Sequence, residues 1–122
     1  MAAHTGKISG GTVTTTSATA ADLLSIPLPE NCIAAIVCDV KARRPANGDC
    51  AVYRVEGGVK RHGAAAAVLL GMSNSESFED TGAALWDVVL VADANSVVLR
   101  VTGAAGVTLE WTGYMNAIIW ES

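Results

Sequence analysis

The run VTLEWTGYMNAIIW, Val107 to Trp120, decides the fold class. Val107, Leu109, Trp111, Gly113, Met115, Ala117 and Ile119 occupy one set of alternate positions. Thr108, Glu110, Thr112, Tyr114, Asn116, Ile118 and Trp120 occupy the other. A period of two places successive side chains on opposite faces of a strand, and no helical repeat competes with it here. The run immediately before it reads the same way. Trp86, Val88, Leu90 and Ala92 alternate with Asp87, Val89, Val91 and Asp93; a turn at Asp93 to Ser96 leads to a strand over Val97 to Thr102; and Gly103 to Gly106 turns the chain back.

Upstream, Cys32 to Ala42 is a strand, with Ala34, Ile36, Cys38 and Val40 on one face. Arg44 to Asp49 is a turn, because Asn47-Gly48 tolerates positive φ. Cys50 to Lys60 returns, with Ala51, Tyr53, Val55 and Val59 facing one way and Gly57-Gly58 marking a bulge or a close backbone approach. Gly63 to Gly71 has four consecutive alanines, which favour a helix, but it is short, glycine-bracketed and flanked by strands, so it reads as a strand. Ser73 to Gly82 is polar and acidic and reads as a loop. Asp22 to Leu28 is a short apolar run stopped by Pro27 and Pro29, which places it at a sheet edge. Gly6 to Thr19, rich in Gly, Ser and Thr, reads as an arm or an edge strand.

Strands at this spacing indicate an antiparallel sandwich or barrel. The expected organisation is one domain over residues 1–122, with residues 1–21 as arm or edge strand and 22–122 as core. Several strands are apolar on both faces, whereas a lone sandwich keeps one face of each sheet polar. The excess is covered either by loops or by other copies of the chain, and a 122-residue chain has few residues to spare for covering loops, which favours the copies. The residues that carry it are Ile118, Ile119, Trp120, Tyr114, Trp111, Val89 and Val91, expected at an oligomer or shell interface.

Composition agrees. The chain has 122 residues, 51% hydrophobic, with 21 Ala and 14 Val but few aromatics, and 16% charged. Such a chain is not disordered, and its scarce charge leaves little with which to cover a surface. The net charge of -4 excludes a basic footprint for nucleic acid. Lys41, Arg43, Arg44 and Lys60, Arg61, His62 are short clusters at loop edges. The sequence shows no run of apolar residues long enough for a membrane helix and no export signal, so a soluble chain made in a cytoplasm is expected.

Chemistry-bearing motifs are missing from the sequence. It contains no nucleophile elbow, P-loop, dinucleotide fingerprint or zinc-protease helix. Cys32, Cys38 and Cys50 are odd in number and poorly spaced for zinc, so reduced thiols filling core space are expected. Of the carboxylates on strands, Asp39, Glu56, Asp87 and Glu110, each is expected to face solvent or to pair with a base such as Arg54, Lys41 or Arg100. Asp87 and Arg100 are placed to pair across the Phe78 to Thr102 meander. Ser73 to Asp80 is acidic but lacks the ligand spacing of a calcium loop. Trp86, Trp111, Trp120, Tyr53 and Tyr114 read as core or interface anchors rather than a sugar platform. No catalytic, metal or cofactor residue is assigned.

One stretch carries a resemblance. AVYRVEGGVKR, Ala51 to Arg61, is similar to a recurring A-x-Y-R-[VIL]-E-G-x-[VI]-K-R segment. It is followed by the Ala-rich Ala64 to Ala67, by WDVVL at Trp86 to Leu90, by LRVTGAAG at Leu99 to Gly106 and by LEW at Leu109 to Trp111. In this order, over Cys50 to Trp120, they resemble the C-terminal β-modules of tailed-bacteriophage virion proteins such as tail-fibre and head-decoration proteins. The resemblance implies an antiparallel jelly-roll-like β-sandwich, assembled as a homotrimer, without catalytic residues. It implies a virion location and capsid protein or other virion proteins as partners. Fibre proteins have long N-terminal shafts; a module that is nearly the whole sequence favours a capsid decoration or cement protein. The alternative is a fibre-tip module that binds a host receptor or glycan through loops such as Arg43 to Asp49 and Ser73 to Gly82. In a cement protein, the Gly6 to Thr19 arm is expected to order on binding.

Overall fold

The computed structural model describes residues 3–122, as backbone alone at residues 3, 75 and 76. Among the described residues the chain forms an all-β sandwich. The strands are β1 (Ala3–Thr15), β2 (Ala21–Pro27), β3 (Cys32–Arg43), β4 (Cys50–Arg61), β5 (Val68–Glu79), β6 (Asp87–Asp93), β7 (Ser96–Thr102) and β8 (Leu109–Glu121). The larger sheet has the order β1-β8-β3-β4-β5 and the smaller β2-β7-β6, with antiparallel pairing throughout. First pairs with last and second with second-to-last, the nesting of a jelly roll; β3, β4 and β5 form a plain meander.

Alternation places the core. Ala34, Ile36, Cys38 and Val40 of β3, Ala51, Tyr53, Val55 and Val59 of β4, and Leu109, Trp111, Met115, Ala117 and Ile119 of β8 point inward. Val88, Leu90, Val97, Leu99 and Val101 meet them from the smaller sheet. The Trp111 ring stacks on Tyr53 and takes Trp86 edge-on, and its Nε1–H donates to Thr15 Oγ1 at 2.9 Å. A buried indole N–H needs such an acceptor. The β3–β4 turn closes at Gly48, with φ of +80°, and Asn47 Oδ1 accepts from the Asp49 amide.

Several expectations change. Of the two readings of the lead segment, arm or edge strand, the edge strand is the one seen: β1 pairs with β8 along its thirteen residues, so the segment is not an arm awaiting a partner; Met1 and Ala2 lie outside the described residues. Gly63 to Gly71 is a turn followed by the start of β5 at Val68. Ser73 to Glu79, read as a loop, continues β5, because pairing with β4 overrides a polar composition at a sheet edge. Arg100 does not reach Asp87; its Nε donates to Asp22 Oδ1 of β2 at 2.7 Å, since β2 is the other neighbour of β7.

Candidate interaction surface

The outer face of the larger sheet is built by the residues that alternation turns away from the core. Its cross-strand rows follow from register. His4, Trp120, Ile33, Lys60 and Val68 form the first row, and Gly6, Ile118, Ala35 and Gly58 the second. Ile8 lies opposite Asn116 in the third. Ile8, Ile33, Ile118 and Trp120 are 74%, 49%, 47% and 39% exposed, and Leu70 extends the patch toward β5. The His4 and Trp120 rings stack with centroids 6.3 Å apart.

The fourth row, Gly10, Tyr114, Asp39, Arg54 and Glu76 by register, is polar. Tyr114 donates its hydroxyl to Asp39 Oδ2 at 2.5 Å, and Arg54 Nε reaches Asp39 Oδ1 at 3.2 Å. The Tyr114 hydroxyl first, and then the Arg54 guanidinium, hold the Asp39 carboxyl below its usual range. The same contact raises Tyr114. Beyond it, Arg43 pairs with Glu110 at 2.9 Å, and the face sinks into a trough of about 840 Å³. Thr12, Thr14, Thr112, Lys41 and Val52 line it with the ion pair.

The seven residues expected at an interface divide three ways. Tyr114, Ile118 and Trp120 lie together on this face. Val89 and Val91 are half-buried on the outer side of the smaller sheet. Trp111 and Ile119 are corrected: both are 1% exposed and belong to the core, because odd positions of β8 face inward. A strand apolar on both faces does not reveal from its own sequence which face is covered; pairing and packing decide it. Ile8, Ile33 and Leu70 were missed. Ile33 follows the β3 alternation and was legible, whereas Ile8 is a lone isoleucine in a polar stretch.

The remaining candidates separate as well. Cys32 and Cys38 are buried, and burial pushes Cys38 up to about 12. Cys50 is exposed, a correction to its expected core position, because it begins β4 on the outward face. Its Sγ lies 3.5 Å from Asp80 Oδ2, and that hydrogen bond raises its pKa, the wrong direction for a thiolate nucleophile. Among the described residues no group of three His, Cys, Asp or Glu is placed to hold a metal. No helix among them is long and apolar enough to cross a membrane. The acidic stretch from Ser73 runs as strand β5, and its side chains at residues 75 and 76 lie outside the described residues.

No family model and no curated protein matches the chain. Among solved structures, the tailspike protein of Acinetobacter baumannii phage AM24 aligns with 93% of this chain at 15% identity and a TM-score of 0.44. The chain spans about a quarter of that protein's length, 26%.

Proposed function

We propose that the chain is a non-enzymatic structural protein of a bacteriophage particle, a capsid decoration or cement protein that self-associates and docks on shell subunits. The observation that carries this reading is the exposed apolar end of the larger sheet's outer face, formed by Ile8, Ile33, Ile118 and Trp120. Monomeric proteins rarely leave such side chains contiguous, and burial yields about 25 cal/mol per Å² before the entropic cost of association. Covering the adjoining Asp39–Arg54–Tyr114 row would cost desolvation, so the proposed contact is centred on the apolar rows. The resemblance of Ala51 to Arg61 and the segments after it supports a virion subunit, with three copies as the proposed assembly and the virion, built in the host cytoplasm, as the proposed location.

The test is light scattering after size exclusion, with co-sedimentation on assembled capsids. The expected mass is a multiple of 12.5 kDa. Ile33→Ser with Ile118→Ser should abolish capsid binding while leaving the circular dichroism unchanged. A folded double variant that still binds capsids at full strength overturns the reading.

The trough favours a second reading, a fibre-tip module that binds a host receptor or glycan. Its threonine hydroxyls and Lys41 offer donors above the apolar Val52. Binding of the intact protein to host cells or glycans, lost on Lys41→Ala with Thr112→Ala and absent on capsids, would establish it.

A further inference from the structure

The edges of the larger sheet differ. The far side of β1 turns onto β2 so closely that a Cβ on Gly11 would stand 2.5 Å from the Leu23 carbonyl oxygen. β5 is more open: a Cβ on its Gly71 would meet nothing within 4 Å, although the Ala67 amide just before it donates to the Ala94 carbonyl oxygen of the β6–β7 turn at 2.8 Å. The strand ends the sheet, pairs with β4 on one side, and runs twelve residues with Val68, Leu70, Met72 and Phe78 exposed. Sheet edges are usually shielded by charged residues, proline, β-bulges or a covering element, because their free amides and carbonyls template another strand. Val68 to Glu79 contains neither proline nor lysine.

The register of β5 carries a further pattern. Two bulges interrupt its pairing with β4, one at residue 70 and one at residue 75. A single skipped residue reverses the two faces beyond it, so a strand with one bulge falls out of step with its own copy. Bulges on both sides of Ser73 restore the match. Positions 68 and 78 stand opposite the outward Lys60 and Val52; positions 69 and 77 stand opposite the inward Val59 and Tyr53; positions 72 and 74 stand opposite the inward Gly57 and Val55. Each pair is equidistant from Ser73.

We propose that β5 is a dimerisation edge, which pairs antiparallel with β5 of a second copy about a twofold axis at Ser73. The pairing joins two larger sheets into one continuous sheet. It sets Val68 against Phe78 of the second copy twice, an aromatic to β-branched pair of the kind that stabilises ladders. Position 79 falls beyond Val68 of the second copy in this register, so the Glu79 carboxylates do not meet each other. The twofold is separate from the outer face and does not rest on it.

The test is cross-linking of Ser73→Cys in a Cys50→Ser background, where the buried Cys32 and Cys38 are silent. Directly opposed residues of an antiparallel pair have Cα atoms about 4.5–5.5 Å apart, within disulfide reach. Under mild oxidation at micromolar concentration, Ser73→Cys should give a disulfide-linked dimer at least about tenfold faster than Ala105→Cys on an exposed turn, since paired thiols share a high effective concentration. Adding Val68→Lys with Phe78→Lys should remove that advantage. Adding Ile33→Ser with Ile118→Ser should leave it intact, which separates this edge from the outer face. Equal rates at positions 73 and 105 overturn the proposal, as does rapid cross-linking that survives the two lysines in a folded protein.

Discussion

Gly11 and Gly113 stand directly opposite each other in the β1–β8 ladder, and Leu23 of the smaller sheet fills the space above them. A Cβ on Gly113 would lie 2.8 Å from the Asp39 carbonyl oxygen and 3.1 Å from Leu23 Cδ2. Leu23 reaches this point because a bulge between Asp22 and Leu24 turns both Leu23 and Leu24 inward. Two absent side chains and one extra residue thus seat the first and second strands together.

Gly11→Ala and Gly113→Ala should each destabilise the fold by about 1–3 kcal/mol, the usual cost of overpacking a filled core. Gly6→Ala, where a Cβ makes only ordinary contact with Ile118 Cδ1 at 3.6 Å, is the control and should stay within about 1 kcal/mol. Urea midpoints at constant slope measure all three. Equal midpoints for Gly6→Ala and Gly113→Ala would show that the Asp39 carbonyl and Leu23 both give way freely.

Removing residues 2–16 should unfold or strongly destabilise the sandwich. β8 would lose its β1 partner along its length, and the Trp111 indole would lose Thr15 as acceptor. A buried donor left unsatisfied costs about 1–3 kcal/mol by itself. Thermal melts of the truncated chain check this, and a melt matching the full chain would mean that β1 contributes little.

The thiols should divide by burial. A thiol reagent should modify Cys50 in the native protein and reach Cys32 and Cys38 only on unfolding. Cys38→Ala should cost on the order of 1 kcal/mol through the small cavity it leaves, and Cys50→Ser almost nothing. Reductant should leave the melting temperature unchanged. A drop with reductant would reveal a stabilising disulfide.

Acid should weaken the outer face through Asp39. Its folded pKa lies below the unfolded value, so its contribution is present above the unfolded pKa of about 3.9 and is lost as pH falls through the folded pKa. Asp39→Asn should therefore be less stable than the parent near neutrality and lose less stability on acidification. Tyr114→Phe should reduce the same dependence, because its hydroxyl is the largest cause of the shift. Denaturant midpoints between pH 2 and 7 test both, about the range over which a carboxylate titrates. Parallel pH profiles for parent and Asp39→Asn would assign the acid sensitivity elsewhere.

Much of the ladder was legible before any coordinates. The alternation in Cys32 to Ala42, Cys50 to Lys60, Trp86 to Asp93 and Val107 to Trp120, with Asn47-Gly48 between the first two, defines strands because a pleated backbone has a fixed period of two. The structure follows those bounds to within a residue or two. Local pattern failed where local sequence has no face to show. β5 lies at an edge with both sides largely in water, so Ser73 to Glu79 carries no apolar period and reads as a loop. β1 is polar because it too is a margin, held by its ladder to β8 and by the fit of Gly11 beneath Leu23. The candidate surface divides along the same line. Sequence alone determined that β8 is apolar on both sides, and hence that more surface exists than one sandwich consumes. Only the tertiary structure decided which residues remain outside. Trp111 and Ile119 point toward the smaller sheet and are covered, while Tyr114, Ile118 and Trp120 point away and meet Ile33 and Ile8 across strand pairings of high sequence separation. The reason is physical: a strand's period distinguishes its two faces from each other, but burial belongs to whichever face another sheet comes to rest on.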